Sequence, residues 1–224
     1  MTSSRPSLSL RKLWSLARFL YVQGIKGFLP PGRPGLDAGS EDWLADRLKV
    51  TKSYLEFGSG GSTLLANRLG VPSVTVESDR YYAAAVCKAL PFPEKARILT
   101  PPMGITGEWG MPVFGKERKG PRYVRTPFNG LENGFPDFIF VDGRYRVACV
   151  LESARQAALA HRTAIVLMDD YERRPHYHVL EDHLGKPERV GRGAIFSVGD
   201  RSIPEELVDK KLLFYPHGNG RTET

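Results

Sequence analysis

Cysteine is scarce: Cys87 and Cys149 are the only two in 224 residues, and they lack any metal-type spacing. Both fall inside apolar stretches, so they read as a buried, reduced pair of small hydrophobes in a cytoplasmic protein. A chain of this length buries a core without disulfide staples. No apolar run reaches the roughly 18 residues that a bilayer-spanning helix needs. Basic residues interrupt the early apolar stretch, which leaves no clean signal peptide. Neither an internal repeat nor a low-complexity tract appears, and 41% hydrophobic with 25% charged residues is a globular composition. Acid is missing too, from the first 36 positions. Arg5, Arg11, Lys12, Arg18, Lys26 and Arg33 all precede Asp37, so the net charge of +7 sits almost wholly in a leader. Spread over a basic domain, such a charge would suggest nucleic acid. Placed here, it describes a basic arm on a near-neutral domain, and nucleic acid is an unfavoured partner.

Three parts follow along the chain: a basic arm and linker (1–35), a main domain (36–205) and a C-terminal tail (206–224). Within the arm, residues 8–29 ("LSLRKLWSLARFLYVQGIKGFL") mix Leu, Trp, Phe, Tyr and Ile with spaced cations. Such a segment fits an amphipathic helix lying on an anionic membrane or a partner. It also fits a helix packed on the main domain with its cations solvated, and that form has slightly the better claim. "LPPGRPG" (29–35) then breaks any helix.

A helix over 40–48 opens the domain, and strand-like and helix-like segments alternate after it. Strands are expected at 53–57, 73–78, 95–100, 137–143 and 163–170. Helices are expected at 62–69 and 79–90, capped by Ser62 and Asp79, and at 146–161 and 176–185. Residues 188–199 read as a closing antiparallel hairpin. This alternation implies a parallel sheet covered on both faces. The fold class is therefore α/β: an open, doubly wound, mostly parallel sheet with a closing hairpin. Residues 101–136, between the third and fourth strands, hold too much proline and glycine for a long helix. An insert of that length is usually a functional loop or lid, and Trp109, Met111, Phe114 and Tyr123 imply that it packs against something.

In open α/β sheets, ligands sit beyond the carboxyl ends of the strands. Acids collect there: Glu56, Glu77, Asp142 and the pair Asp169–Asp170. The glycine turn after the first strand, Gly58-Ser59-Gly60-Gly61-Ser62-Thr63, lacks the third glycine of the dinucleotide fingerprint. It also lacks the Lys-Ser/Thr end of a phosphate-binding loop. What remains is an acid, two spaced glycines and a helix start, with Glu77 and Ser78 about twenty residues later at the end of the second strand. Glycines let a cofactor approach the backbone, and Glu77 is placed to accept hydrogen bonds from both hydroxyls of a ribose.

"YLEFGSGG" with "VTVESD" resembles the first and second cofactor-binding motifs of class I S-adenosylmethionine-dependent methyltransferases. "DFIFVDGRYR" and "AIVLMDDY" look like later strands of the same superfamily, and the likeness covers about residues 40–200. With "GEWGMP", "VDGRYRVAC" and "DDYERR", the run is similar to a bacterial methyltransferase-like group. The resemblance implies a Rossmann-like methyltransferase fold and S-adenosylmethionine as cofactor. It puts Glu56 near the methionine end, Gly58 and Gly60 against the carboxylate and ribose, and Ser59, Gly61 and Ser62 in the same turn. Glu77, beside Ser78, would take the ribose hydroxyls, and Asp142 would border the methyl-transfer site. Two departures stand out. Ser62 replaces the usual third glycine of the first motif. After the third strand only Thr100 is offered where an acid or amide often holds the adenine amine, which leaves that task to the 101–136 insert.

In catechol-type O-methyltransferases, acids after the fourth and fifth strands bind Mg²⁺, and Asp142, Asp169 and Asp170 occupy those positions. The simpler reading, favoured here, is that Asp169 or Asp170 caps the next segment or pairs with Arg173 or Arg174. Since the donor is already activated, alignment supplies much of the rate. Asp142, Asp170 and His176 are the candidate catalytic residues, and deprotonation of the acceptor would fall to one of His176, His178 and His183, just past the fifth strand. The simpler reading, favoured here, makes these histidines surface helix positions near the site, and the spacing of His176 and His178 is poor for zinc. Arg144 and Arg146 suit an anionic substrate, or Arg144 neutralises Asp142.

The functional expectation is a methyltransferase acting on oxygen of a small molecule or glycan. A nicotinamide-dependent oxidoreductase fits less well, without the third glycine or a Tyr-x-x-x-Lys pair. A non-catalytic module that keeps the fold for binding at a membrane or in a complex is the alternative from another class. Base-amino methylation of nucleic acid lacks its Asn/Asp-Pro-Pro-aromatic signature after the fourth strand.

Overall fold

The structure, a computed structural model, describes residues 21–112, 116–129, 131 and 134–214. Residues 8–20 of the basic stretch and Phe114 lie outside them. Seven strands form one sheet: β1 Tyr54–Phe57, β2 Ser73–Val76, β3 Ala96–Leu99, β4 Phe138–Val141, β5 Ala164–Met168, β6 Glu188–Val190 and β7 Gly193–Val198. Their order is β3-β2-β1-β4-β5-β7-β6. The first five run parallel, and β7 is antiparallel to both β5 and β6. This is the mostly parallel sheet with a closing hairpin that the sequence implies.

Side-chain alternation builds two cores. On β4, Phe138 and Phe140 point to one face, while Ile139 and Val141 point to the other. The first face is covered by Leu44 and Leu48 of α1 (Ala38–Val50) and Ala66 of α2 (Gly61–Arg68). Val86 of α3 (Arg80–Ala89) packs with Leu64 of α2 in a smaller cluster. The second face is covered by α4 (Lys116–Arg125), α5 (Arg146–Leu159) and α7 (Glu205–Phe214), with α6 (Glu181–Leu184) a single turn beside them. α5 is buried almost all round over Val147–Ala154. Its small residues Ala148, Cys149 and Ala154 let the sheet and the neighbouring helices approach together. That is the pattern of a helix enclosed on all sides.

Several local expectations give way. The insert does contain a helix, the ten residues of α4, with Pro121 inside it. Tyr123 of that helix is fully buried, whereas Trp109 is 84% exposed. The helix expected at 176–185 is a 3₁₀ segment, Pro175–Leu180, followed by the one turn of α6. Gly60, not Ser62, is the N-cap of α2. Asp79 caps α3 as expected, accepting from the Tyr81 and Tyr82 amides. Only Cys149 is buried. Cys87, in the last turn of α3, is exposed. In the C-terminal segment, α7 sends Val208 and Leu212 into the main core.

Candidate active site

β1 lies between β2 and β4, where the strand order reverses. Beyond the carboxyl ends of these strands opens a cleft of about 920 Å³, the place where doubly wound folds hold ligands. The three glycines after β1 serve three different neighbours. Gly58 has φ +96°, and a Cβ there would come within 2.8 Å of the Gly143 backbone after β4. A Cβ on Gly61 would strike the backbone of Arg33 and Pro34. All three glycines border the cleft, but only Gly60 has room for a side chain, since a Cβ there would meet only the Tyr82 hydroxyl at 3.4 Å. Substitutions should separate these roles. Gly60→Ala is expected to leave the melting temperature within a few degrees, whereas Gly58→Ala should lower it sharply through overpacking and a left-handed backbone. Equal loss in both would refute this division.

Glu56 is not on the cleft wall. It is fully buried behind the glycine turn, with one carboxylate oxygen accepting from the Ser62 hydroxyl. The other accepts from Thr63 Oγ1 at 2.6 Å and Thr75 Oγ1 at 3.3 Å. Thr63 Oγ1 in turn accepts from the Gly60 amide at 2.9 Å. Burial pushes the Glu56 pKa up to about 8, although the three hydroxyl donors and the weaker push from Asp142 act on it as well. The sequence placed this acid beside the cofactor. The structure makes it the knot that ties β1, β2 and α2 together.

Glu77, at the end of β2, does line the cleft. Its Oε2 accepts from the Ser59 amide and hydroxyl, both at 2.9 Å. Its Oε1 accepts from the Asp79 amide at 2.9 Å and the Ser78 hydroxyl at 3.1 Å. Two of these donors are backbone amides that fix the carboxylate, and two are hydroxyls that can turn away when a better donor arrives. Gly110 of the insert, φ +70°, lies so near that a Cβ would clash with Ser78 and stand 3.3 Å from Glu77 Oε1. The insert therefore reaches the second-strand acid. Thr100 is exposed and does not line the cleft.

Past β4 and β5 the carboxylates meet guanidinium groups. Arg146 donates to Asp142 Oδ1 at 2.6 Å and to Asp170 Oδ2 at 3.2 Å. Arg192 holds both oxygens of Asp169, at 2.8 and 2.7 Å, and Arg174 reaches Asp170 at 2.8 Å. Three cations thus neutralise three acids, and the pairing of Asp170 with Arg174 is the simpler alternative raised from the sequence. This donor set does not fit Mg²⁺, which needs carboxylate oxygens free to ligate it. Among the described residues, no group of three acids, histidines or cysteines is arranged to hold a metal. Asp142 keeps a raised pKa: desolvation is the largest cause, Arg146 opposes it, and Asp169 and Asp170 add to it. Asp142 pairs with Arg146 rather than Arg144, whose Nε donates instead to the Trp109 carbonyl at 2.6 Å.

His176 does not line the cleft. Its ring packs edge-on against Tyr177, 4.4 Å between centroids. The sequence missed other wall residues: Phe28, Tyr82, Tyr123 and Arg192. Phe28 sits near the end of the 8–29 amphipathic stretch and Arg192 in a hairpin turn, and the sequence marked neither as a wall of the cleft. Three non-glycine residues with left-handed backbone cluster here, Trp109, Tyr145 and Asp170, at φ 59°, 54° and 60°. Such strain tends to be retained at working sites.

A methyltransferase-like protein, spo2022, from Silicibacter pomeroyi superposes with a TM-score of 0.73. It is 32% identical over 81% of this chain and 98% of its own. The chain belongs to the class I S-adenosylmethionine-dependent methyltransferase superfamily. Cofactor-bound Rv0187 from MTB is 16% identical, with a TM-score of 0.54 over 84% of this chain and 90% of that one, a likeness of fold alone. No family model matches the chain, and no curated protein matches it. The glycine turn after β1 and the acid after β2 both border the cleft. The residues present suit S-adenosylmethionine: a bare Gly60 at the wall and a fixed, cleft-lining carboxylate at Glu77.

Proposed function

We propose that this methyltransferase-fold protein methylates an oxygen of a small molecule or glycan, with S-adenosylmethionine as donor. The observation that carries this is a second acid in the same cleft. Asp142 lies one strand across from the β1 glycine turn, with Glu77 on the other side of that turn. Glu77 would bind the ribose hydroxyls, the Ser59 and Ser78 hydroxyls turning aside, and Gly60 would let the cofactor lie against the backbone. Bound there, S-adenosylmethionine supplies an activated methyl group on a sulfonium. Asp142 would accept the proton of the acceptor hydroxyl, and its raised pKa makes it a better base than an ordinary aspartate. Arg146 orients that carboxylate, and the Trp109–Gly110 segment narrows access for water. Asp170 is occupied by three arginines, Arg146, Arg174 and Arg192, and would serve only to hold them.

Calorimetric titration with S-adenosylhomocysteine tests this. The wild type should bind saturably, and Glu77→Ala should bind about 100-fold more weakly, the effect of losing hydrogen bonds to a charged acceptor. Circular dichroism would check that the variant is folded. If folded wild type does not bind, the methyltransferase activity is wrong and the non-catalytic module takes its place.

A further inference from the structure

The N-terminal segment is bound on one side and bare on the other. Gln23 is buried, its Nε2 donating to Asp79 Oδ2 at 2.7 Å and to Thr106 Oγ1 at 3.0 Å. Phe28 meets Tyr82 edge-on at 5.3 Å and lines the cleft. Farther on, Asp37 accepts from the Arg192 amide at 3.0 Å. Residues 21–37 are thus strapped along the mouth of the cleft. Tyr21, Ile25 and Leu29 point the other way, 52%, 76% and 95% exposed.

These three are the described end of a longer pattern. Apolar residues recur at three- and four-residue intervals at Leu10, Leu13, Trp14, Ala17, Tyr21 and Ile25. Arg11, Lys12, Arg18, Lys26 and Arg33 interleave with them, and no acid occurs before Asp37. A segment packed on the main domain would bury its apolar row. Where the segment is described, that row faces solvent.

We propose that residues 8–29 seat the protein on an anionic membrane surface, with Tyr21, Ile25 and Leu29 entering the boundary between headgroups and acyl chains. Charge complementarity favours this occupant. Clustered Lys and Arg are drawn to an anionic leaflet, and exposed apolar side chains add their burial. Among the described residues no helix is long and apolar enough to cross a membrane, so the contact is peripheral. Its failure would leave the methyltransferase reading intact, because vesicle binding needs no cofactor.

The test is sedimentation of the full chain with vesicles of equal parts phosphatidylglycerol and phosphatidylcholine, against vesicles of phosphatidylcholine alone. The anionic vesicles should bind at least about tenfold more strongly, and high salt should remove the difference. An Ile25→Ser, Leu29→Ser double variant should keep the wild-type melting temperature and bind about tenfold more weakly. Failure to sediment with anionic vesicles would overturn the proposal, and so would equal binding by the double variant. A wild-type dimer that the double variant dissociates would also overturn it, by assigning the apolar row to a second copy of the chain.

Discussion

Arg146→Ala should lose about 3–5 kcal/mol of unfolding free energy, the usual cost of removing one partner from a buried ion network. The side chain is only 12% exposed, and it does more than pair. One terminal nitrogen bonds the Asp142 carbonyl at 3.0 Å, the other bonds the Asp169 carbonyl at 2.8 Å, and Nε bonds the Gly143 carbonyl at 3.2 Å. A single guanidinium therefore stitches the ends of β4 and β5 together while neutralising Asp142 and Asp170. Without it, three carbonyls lose their donor. Asp142 would also face Asp169 and Asp170 with less compensation, which drives its pKa higher still. Arg146→Lys should recover part of the charge and little of the geometry, because an ammonium cannot fork to both strands. Urea unfolding of the two variants beside wild type measures this. A midpoint for Arg146→Ala within error of wild type would show that the network contributes nothing, and the base role of Asp142 would lose its support.

That network marks the limit of what the sequence shows. The alternation of short apolar segments with helices gave the sheet, because each central strand is buried on both faces and must be written in apolar residues. The ends of β2, β4 and β5 were legible for the same reason, since a polar residue ending such a strand is conspicuous. Partner choice was not. Asp142 has Arg144 and Arg146 two and four residues away, and only the start of α5 decides that Arg146 turns back onto it. Arg192 is 23 residues from Asp169 and meets it only because β7 pairs antiparallel with β5. The glycine cluster was legible as a unit and misleading in detail, since all three glycines border the cleft but Gly58 and Gly61 are required by backbone packing and Gly60 alone has room for a side chain. Phe28 joined the wall because the end of the amphipathic stretch and the linker after it are anchored at Gln23 and Asp37.

The pH dependence of stability should change shape in Glu56→Gln. The carboxyl is buried with a folded pKa raised to about 8, against an ordinary value near 4.5 when the chain is unfolded. A raised acid binds its proton more tightly in the folded state. Its contribution is therefore fully present below the unfolded pKa and is lost as the pH rises through the folded one. Between pH 5 and pH 9 the wild type should lose on the order of 4 kcal/mol through this group alone. Glutamine keeps the shape and an acceptor oxygen and does not ionise, and the hydroxyls of Ser62, Thr63 and Thr75 can rotate to accept from its amide. The variant should match wild type within about 1 kcal/mol at pH 5 and exceed it at pH 9. Thermal melts across that range decide the matter, since parallel profiles would mean that Glu56 is ionised throughout and that its hydroxyl donors outweigh burial. Either profile bears on the cofactor site, because Thr63 links this acid to the Gly60 amide at 2.9 Å. A neutral Glu56 would leave Glu77 and the Asp142 cluster as the charges that a sulfonium-bearing cofactor meets.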